Sequence, residues 1–350
     1  MTGRCAIKNG VRYMKILCLI DFPVREGDRW LWNEIPDAKD EVDFLWATAR
    51  DRFAGWGKIL GYYPTFLWNA ARALRRCRQH TYDLIVGWEG KNTFPLALLR
   101  GLGGIHKPPL LGLTFSLRGP IKKLLPLQRV GLRGMDWMTV PSRYEQRAYM
   151  QLSGWPENRC VLCRLGSYDG FEGLPPAPVQ PYIFSGGRSG RDYATLFAAL
   201  QQTTIPAVVN ARPFNVSGLK VPQNVRLNDL LPADAYRNLH WGARFVVIPL
   251  QDLDEAVGLI AVLYAMAAGK AVIVSRVSCI EEYVQEGETG FLVPPGDVTA
   301  MRTAIERLWT DRETCERMGK QARERFLAEY TFSAFARRVA GVLDTIRAAQ

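Results

Sequence analysis

The chain has 350 residues, 48% of them hydrophobic, enough for two domains of ordinary size with sizeable cores. No stretch of about 18 apolar residues occurs, which excludes a membrane-spanning helix. The formal net charge is +11 and sits in one half: residues 1–180 hold 26 Lys+Arg against 16 Asp+Glu, residues 181–350 hold 19 against 18. A basic half beside a neutral one points to a domain that meets an anionic surface or substrate. No nucleic-acid-binding motif accompanies the charge, which falls among bulky apolar groups, so nucleic acid is not expected as a partner. Seven scattered cysteines, an odd number, give no disulfide framework and suit a reducing cytoplasm.

In chain order, MTGRCAIKNGVRY is basic and lacks the apolar core of a signal peptide. Residues 1–13 are expected as a disordered leader, with Met14 as the start. Met14–Phe22 (MKILCLIDF) reads as the first strand, followed by a long polar loop. Residues 55–80 carry Trp56, Leu60, Tyr62, Phe66, Leu67 and Trp68, then Arg72, Arg75, Arg76 and Arg78. Residues 119–134 (GPIKKLLPLQRVGLRG) repeat the mixture, with Lys122 and Lys123. Aromatics, leucines and cations together suit the edge of an anionic membrane. Core-facing apolar residues with solvated arginines remain an equally open reading. Leu84–Trp88 is a short buried strand opening on Glu89-Gly90-Lys91-Asn92. Ligands of α/β sheets bind at the carboxyl ends of strands, which makes Glu89 a candidate catalytic residue. Strands are expected from Pro109, over Met135–Pro141 and over Arg159–Leu165, with Ser142 capping a helix. Cys160 and Cys163 form a CxxC on a strand with no second pair nearby, so they read as structural. His80, His106 and His240 have no ligand partner at i+3 or i+4. His106 lies in a loop of this half and is a candidate to reach a cleft, or an ordinary surface residue.

The proline-rich, uncharged 173–181 segment reads as a linker. A second α/β unit then begins with YIFSGGRSGRDY. Glycines let backbone approach a ligand closely, and two arginines three apart suit a diphosphate, so Gly187, Arg188 and Arg191 are candidate phosphate-binding residues. A buried-strand run, Ala243–Leu250, leads through acidic residues to EAVGLIAVLYAMAAGK (Glu255–Lys270) and the strand AVIVS. A helix beginning at Gly258 and Leu259 offers free N–H groups and a positive dipole end, again suited to a diphosphate. Asp252-Leu253-Asp254 spells a metal-binding DxD, but after a late strand, the wrong context for one. TGFLVPPGD and a charged amphipathic tail from about residue 312 close the chain.

This ordered set resembles the GT-B glycosyltransferases, and among them the retaining family 4, the glycosyl transferases group 1. The family shows an acidic residue, Phe-Gly-Leu, then Glu-Ala-Met-Ala-x-Gly-x-Pro-Val. Glu255, Gly258, Leu259, Ala265, Met266, Ala267, Gly269 and Lys270 match it. Asp136, Ser142, Gly154, Pro156, Gly166 and Asp169 fit the family's rhythm in the first half. Tyr264 stands where a second Glu is usual, and the spacing from Glu255 is one residue longer. By position, Arg188 matches the family's phosphate-loop arginine and Arg191 replaces its lysine.

The resemblance implies a GT-B fold, two Rossmann-like domains facing each other across a cleft. It places an acceptor domain at 14–172, a linker at 173–181, a donor domain at 182–330 and a helix at 331–350 crossing back to the first domain. It implies transfer of a sugar from a nucleotide diphosphate sugar to a hydroxyl acceptor, with retention and with no metal or other cofactor. Glu255 would be catalytic; with Asp254 it would hold donor-sugar hydroxyls, and Tyr264 would contact the nucleotide. Trp56, Trp68, Arg72, Arg75, Lys122 and Lys123 would meet the acceptor, read as a lipid-linked or membrane-surface saccharide in envelope polysaccharide or glycolipid synthesis. The expected location is cytoplasmic, peripheral on the inner face of a membrane. A soluble transferase acting on a small metabolite, a non-catalytic nucleotide-sugar-binding scaffold and an epimerase of the same fold stay open; the last needs cleft histidines, in which the chain is poor.

Overall fold

The structure is a computed structural model that describes residues 7–8, 11–36, 38–48, 63–117, 124–175, 180–229, 231–253 and 256–350. Trp56, Lys122, Lys123, Asp254 and Glu255 fall outside them. The chain divides into two units, Met1–Arg164 with Ala336–Gln350, and Leu165–Phe335.

In the first unit, Ile7–Lys8 (β1) pairs antiparallel with Val11–Arg12 (β2), so part of the expected leader has structure. The intervening Asn-Gly of the sequence favours such pairing. The main sheet joins β3 (Lys15–Ile20), β4 (Glu41–Trp46), β5 (Leu84–Trp88), β6 (Leu110–Leu113), β7 (Trp137–Val140) and β8 (Cys160–Leu162) in the order β4-β3-β5-β6-β7-β8. Every pairing in it is parallel. Parallel strands need crossovers, which α1 (Tyr63–Gln79), α2 (Glu89–Gly103), α3 (Leu125–Arg133) and α4 (Arg143–Ser153) supply. Their cover explains why β3 and β5 are nearly continuous apolar runs rather than alternating ones. Ser142 caps α4 as the sequence predicts, its Oγ accepting from Glu145 N at 3.2 Å. The C-terminal residues also belong here. Arg338 donates to Arg164 O (2.9 Å), and Arg347 pairs with the buried Asp40, which in turn accepts from Met14 N at 2.9 Å.

The second unit repeats the plan. Strands β9 (Ile183–Gly186), β10 (Ala207–Asn210), β11 (Val225–Asn228), β12 (Val246–Ile248), β13 (Val272–Ser275) and β14 (Gly290–Val293) lie in the order β11-β10-β9-β12-β13-β14, all parallel. The helices are α5 (Tyr193–Leu200), α6 (Pro213–Val216), α7 (Ala233–Gly242), α8 (Leu259–Ala267), α9 (Val298–Thr310), α10 (Arg312–Arg325) and α11 (Phe332–Ala348), within which the boundary between units falls. Residues 165–172, assigned by sequence to the first domain, pack here instead. Asp169 accepts two bonds from Arg323 (2.8 and 2.6 Å), and Phe171 stacks on Trp241 with ring centroids 5.2 Å apart. A carboxylate held by a guanidinium fork and a stacked aromatic pair outweigh the proline signal further along.

Candidate active site

In the second unit the strand order reverses between β9 and β12. Loops leaving the carboxyl ends of strands at such a point frame a ligand crevice. Here the two loops are joined. Arg191 forms an antiparallel bridge with Leu250, Gln251 N donates to Gly190 O (2.9 Å), and Asp192 N donates to Pro249 O (3.1 Å). Gly258 begins α8 at φ +82, a left-handed conformation that favours glycine, and a Cβ there would lie 2.8 Å from Leu250 Cδ1. The first intrahelical bond runs from Val262 N to Gly258 O (3.0 Å), so the amides of Leu259, Ile260 and Ala261 open from the helix start. The Leu259 side chain is buried; what it offers a ligand is its N–H. The sequence-predicted Gly187, Arg188, Gly258 and Leu259 thus come from two loops knitted into one edge.

Arg191 departs from its expected role. It is only 7% exposed, and its guanidinium turns back into the loop, donating to Gly186 O (3.2 Å) and Ser189 O (2.9 Å). Burial lowers its pKa, with Tyr193 and Tyr236 acting the other way. The group that was to meet a diphosphate instead braces the turn that presents Arg188. Arg188 is exposed, and its carbonyl accepts from Asn215 Nδ2 at 2.8 Å.

Tyr264 lies half-buried on α8 among rings: Phe171 at 5.0 Å, His240 at 4.8 Å and Tyr236 at 6.0 Å between centroids. Its hydroxyl has no hydrogen bond among the described residues. Burial raises its pKa, so it is a neutral phenol, not a carboxylate substitute. His240 is buried in the same cluster. Burial lowers its pKa to about 4, and the Tyr236 carbonyl, 3.1 Å from Nδ1, opposes that only partly.

The first unit has its own reversal, between β3 and β5. Asp21 follows β3 and Glu89 follows β5; Lys91 pairs with both, at 2.6 Å and 3.0 Å. Burial pulls the Lys91 pKa down, but Glu89 and Asp21 together carry it above its usual value. Glu89 has φ +59, a strained value for a non-glycine residue. Sequence reasoning found Glu89 but missed Asp21 and Lys91; an acid closing a buried strand was the available signal. His106 precedes β6, at the opposite edge of this sheet, and does not join the group. Trp68, Arg72 and Arg75 lie on the exposed face of α1, Trp68 at 68% exposure. Cys160 and Cys163 are buried free thiols whose pKa values burial pushes up to about 12.

Comparison with known proteins bears on this edge. Residues 217–325 match the family described as Glycosyl transferases group 1. The sucrose-phosphate synthase of Thermosynechococcus elongatus superposes over 96% of this chain and 100% of its own, with TM-score 0.72 at 19% identity. The fold of the chain is thus that of the GT-B glycosyltransferases, and its residues 217–325 are similar to the glycosyl transferases group 1. Anabaena HepE in complex with UDP-glucose covers 95% of this chain and 100% of its own, with TM-score 0.68 at 16% identity. Sulfoquinovosyl transferase of Arabidopsis thaliana is 47% identical over 74 residues, 20% of this chain and 14% of that protein. Matches to curated relatives span from 12% to 37% of their own lengths. The segment that matches the group 1 family contains α8 and the β12 loop, the edge that carries Gly258.

Proposed function

We propose that the chain transfers a sugar from a nucleotide diphosphate sugar to a hydroxyl acceptor, with retention and without a catalytic metal. The observation that carries the reading is the joined edge of residues 187–191 with Leu250, Gln251, Gly258 and Leu259. It presents an exposed arginine and the open start of a nine-residue helix from two bridged loops. A departing diphosphate gains charge as the glycosidic bond breaks. A guanidinium at Arg188 and the amides from Leu259 onward stabilise that charge without reorganising. Asp254 and Glu255 precede this helix in sequence, where carboxylates would accept from donor-sugar hydroxyls. A UDP-sugar is the first donor to test, since HepE is known in complex with UDP-glucose. Glu89, held by Lys91, is the group proposed for the acceptor hydroxyl.

The acceptor we propose is a lipid-linked or membrane-surface saccharide, with the chain peripheral on an anionic cytoplasmic membrane face. The support is α1, where exposed Leu67 and Trp68 adjoin exposed Arg72, Arg75 and Arg78. No helix among the described residues is long and apolar enough to cross a membrane. A soluble acceptor would need none of this face, and flotation with anionic liposomes at low salt separates the two readings. A non-catalytic nucleotide-sugar binder is favoured by one observation, the phenol of Tyr264 where a carboxylate is usual in the family.

Thermal shift against UDP-, GDP- and ADP-sugars tests the donor. A shift is expected, lost in Arg188→Ala and unchanged by EDTA. A shift that survives in the variant would remove the phosphate assignment. Donor hydrolysis or transfer excludes the non-catalytic reading.

A further inference from the structure

The first unit carries a cavity at the sheet edge opposite Glu89. It is open, about 480 Å³ in volume, and lined by His106, Leu132, Arg133, Met135, Trp155 and Arg159, with Asp136 at its rim. A second cavity of about 200 Å³ adjoins it through Leu132, Arg133 and Trp155, and adds Arg129. Its walls come from the segments just before β6, β7 and β8 and from the ends of α2 and α3.

We propose that this cavity binds a small molecule through a phosphomonoester group. The Arg159 guanidinium is set in place before any ligand arrives. It lies over the Trp155 ring, 4.4 Å from the centroid, and its Nε donates to Asp136 O at 2.8 Å. Its two terminal nitrogens carry no hydrogen bond among the described residues, so the fork is presented edge-on. An arginine fixed by stacking and by Nε loses little freedom on binding an oxyanion with its remaining donors. Arg133 and Arg129 are exposed and make no ion pair among the described residues. The single carboxylate at the rim is already committed. Asp136 Oδ2 accepts from the fully buried Arg100 (3.2 Å) and from Leu110 N (2.8 Å). Three guanidiniums therefore line the two cavities against one carboxylate already paired with Arg100, beside the buried Leu132 and Met135. A cation that merely complements a helix end would account for Arg133, in the last turn of α3, but not for the clamped Arg159. The basic pole suits a dianion carried on a partly apolar body.

The inference does not depend on the donor site, which lies in the other unit. Its test is NMR of the full chain labelled at methionine methyls, with Met135 assigned through Met135→Leu and Met266 of α8 as the reporter for the donor edge. Glucose 6-phosphate is titrated against glucose, and flotation is run with vesicles containing phosphatidic acid against vesicles of neutral lipid. A saturable Met135 shift with the sugar phosphate alone, weakened about tenfold or more in Arg133→Gln and Arg159→Gln, supports a soluble ligand. Binding only to phosphatidic acid, lost in the same variants, supports a lipid source of the same group. Because Arg159→Gln also removes a bond to the Asp136 turn, Arg133→Gln and Arg129→Gln serve as variants that disturb no internal contact. No Met135 shift and no flotation, an equal shift with glucose, or responses unchanged in the exposed-arginine variants overturn the proposal.

Discussion

Two arginines three residues apart in one loop are assigned opposite work, and Arg191→Met separates them. Arg191 donates to two backbone carbonyls, one at 2.9 Å and one at a long 3.2 Å. Hydrogen bonds from a charged donor contribute about 1.5–3 kcal/mol each, with the longer one at the low end. The methionine fills similar space and no longer has to bury a charge, which offsets part of the loss. It also leaves Gly186 O and Ser189 O unpaired. The net expectation is a loss of about 2–4 kcal/mol from the second unit. For a unit of this size that is a fall of roughly 5–15 °C in its Tm. Calorimetry gives the stability, and UDP titration well below the new Tm gives affinity. Arg188→Ala should do the reverse: stability within about 0.5 kcal/mol of the parent, as for an ordinary surface substitution, with nucleotide binding lost. If Arg191→Met keeps its Tm and loses UDP, Arg191 is a ligand and the brace assignment is wrong.

Gly258→Ala combines a left-handed φ with a Cβ 2.8 Å from Leu250 Cδ1, and should destabilise the unit by about 2–4 kcal/mol and weaken UDP binding. In the double variant with Leu250→Val the clash part should disappear as coupling energy in urea unfolding, and simple additivity would count against the contact. His240 supplies a pH dependence. Its folded pKa, about 4, lies below the ordinary 6.5, so the unfolded chain binds the proton more readily. Its contribution is fully present above pH 6.5 and disappears as pH falls toward 4, about 3 kcal/mol in all. His240→Asn should flatten the stability profile of the second unit over that window; an unchanged slope would place the titration elsewhere. Glu89→Gly should leave the first unit as stable or up to about 1 kcal/mol more stable, since it relieves φ +59, while lowering transfer. Retained transfer would end the acceptor assignment.

Much of the architecture was legible because parallel strands covered on both faces write themselves as apolar runs. Leu84–Trp88 and Val272–Ser275 are examples, the first followed by an acid, Glu89, at the carboxyl end of the strand. Gly258 was legible because no other residue fits a left-handed helix start pressed against Leu250. Arg191 was not. Its exposure depends on which way a flexible side chain folds within a six-residue turn, and sequence spacing carries no information on that. The 165–172 segment misled for a related reason. Its attachment to the second unit runs through Arg323 and Thr331, more than 150 residues away, while the prolines that suggested a boundary act locally. Lys91 and Asp21 were invisible as a pair because only the sheet order brings the ends of β3 and β5 together.

The left-handed positions of the two ligand edges differ in a way that bears on where chemistry resides. In the second unit they are glycines, Gly187, Gly190 and Gly258, so that edge lets backbone reach a ligand at little conformational expense. In the first unit, besides Gly27 in the loop after β3, they are Trp30, Glu89 and Thr114, at φ +48, +59 and +51, each strained by about 1–2 kcal/mol relative to glycine. Each has local compensation. Trp30 packs edge-on against Phe22 and Trp88, with centroids 5.2 and 4.9 Å apart. Thr114 takes a bond from its own N–H to Thr139 Oγ1 at 2.8 Å and gives one from its hydroxyl to Leu113 O at 2.7 Å. The Glu89 carbonyl accepts from Thr93 Oγ1 at 2.8 Å; its carboxylate, in the first turn of α2, pairs with Lys91, and its side chain is 39% exposed. An ion pair that open to solvent is screened and contributes less than about 1 kcal/mol. The ion pair and the helix start each contribute less than about 1 kcal/mol, together of the same order as the strain at Glu89. A residue held at positive φ, charged and open at the carboxyl end of a parallel sheet lies where α/β sheets bind ligands, which is the ground for reading Glu89→Gly by transfer as well as by stability.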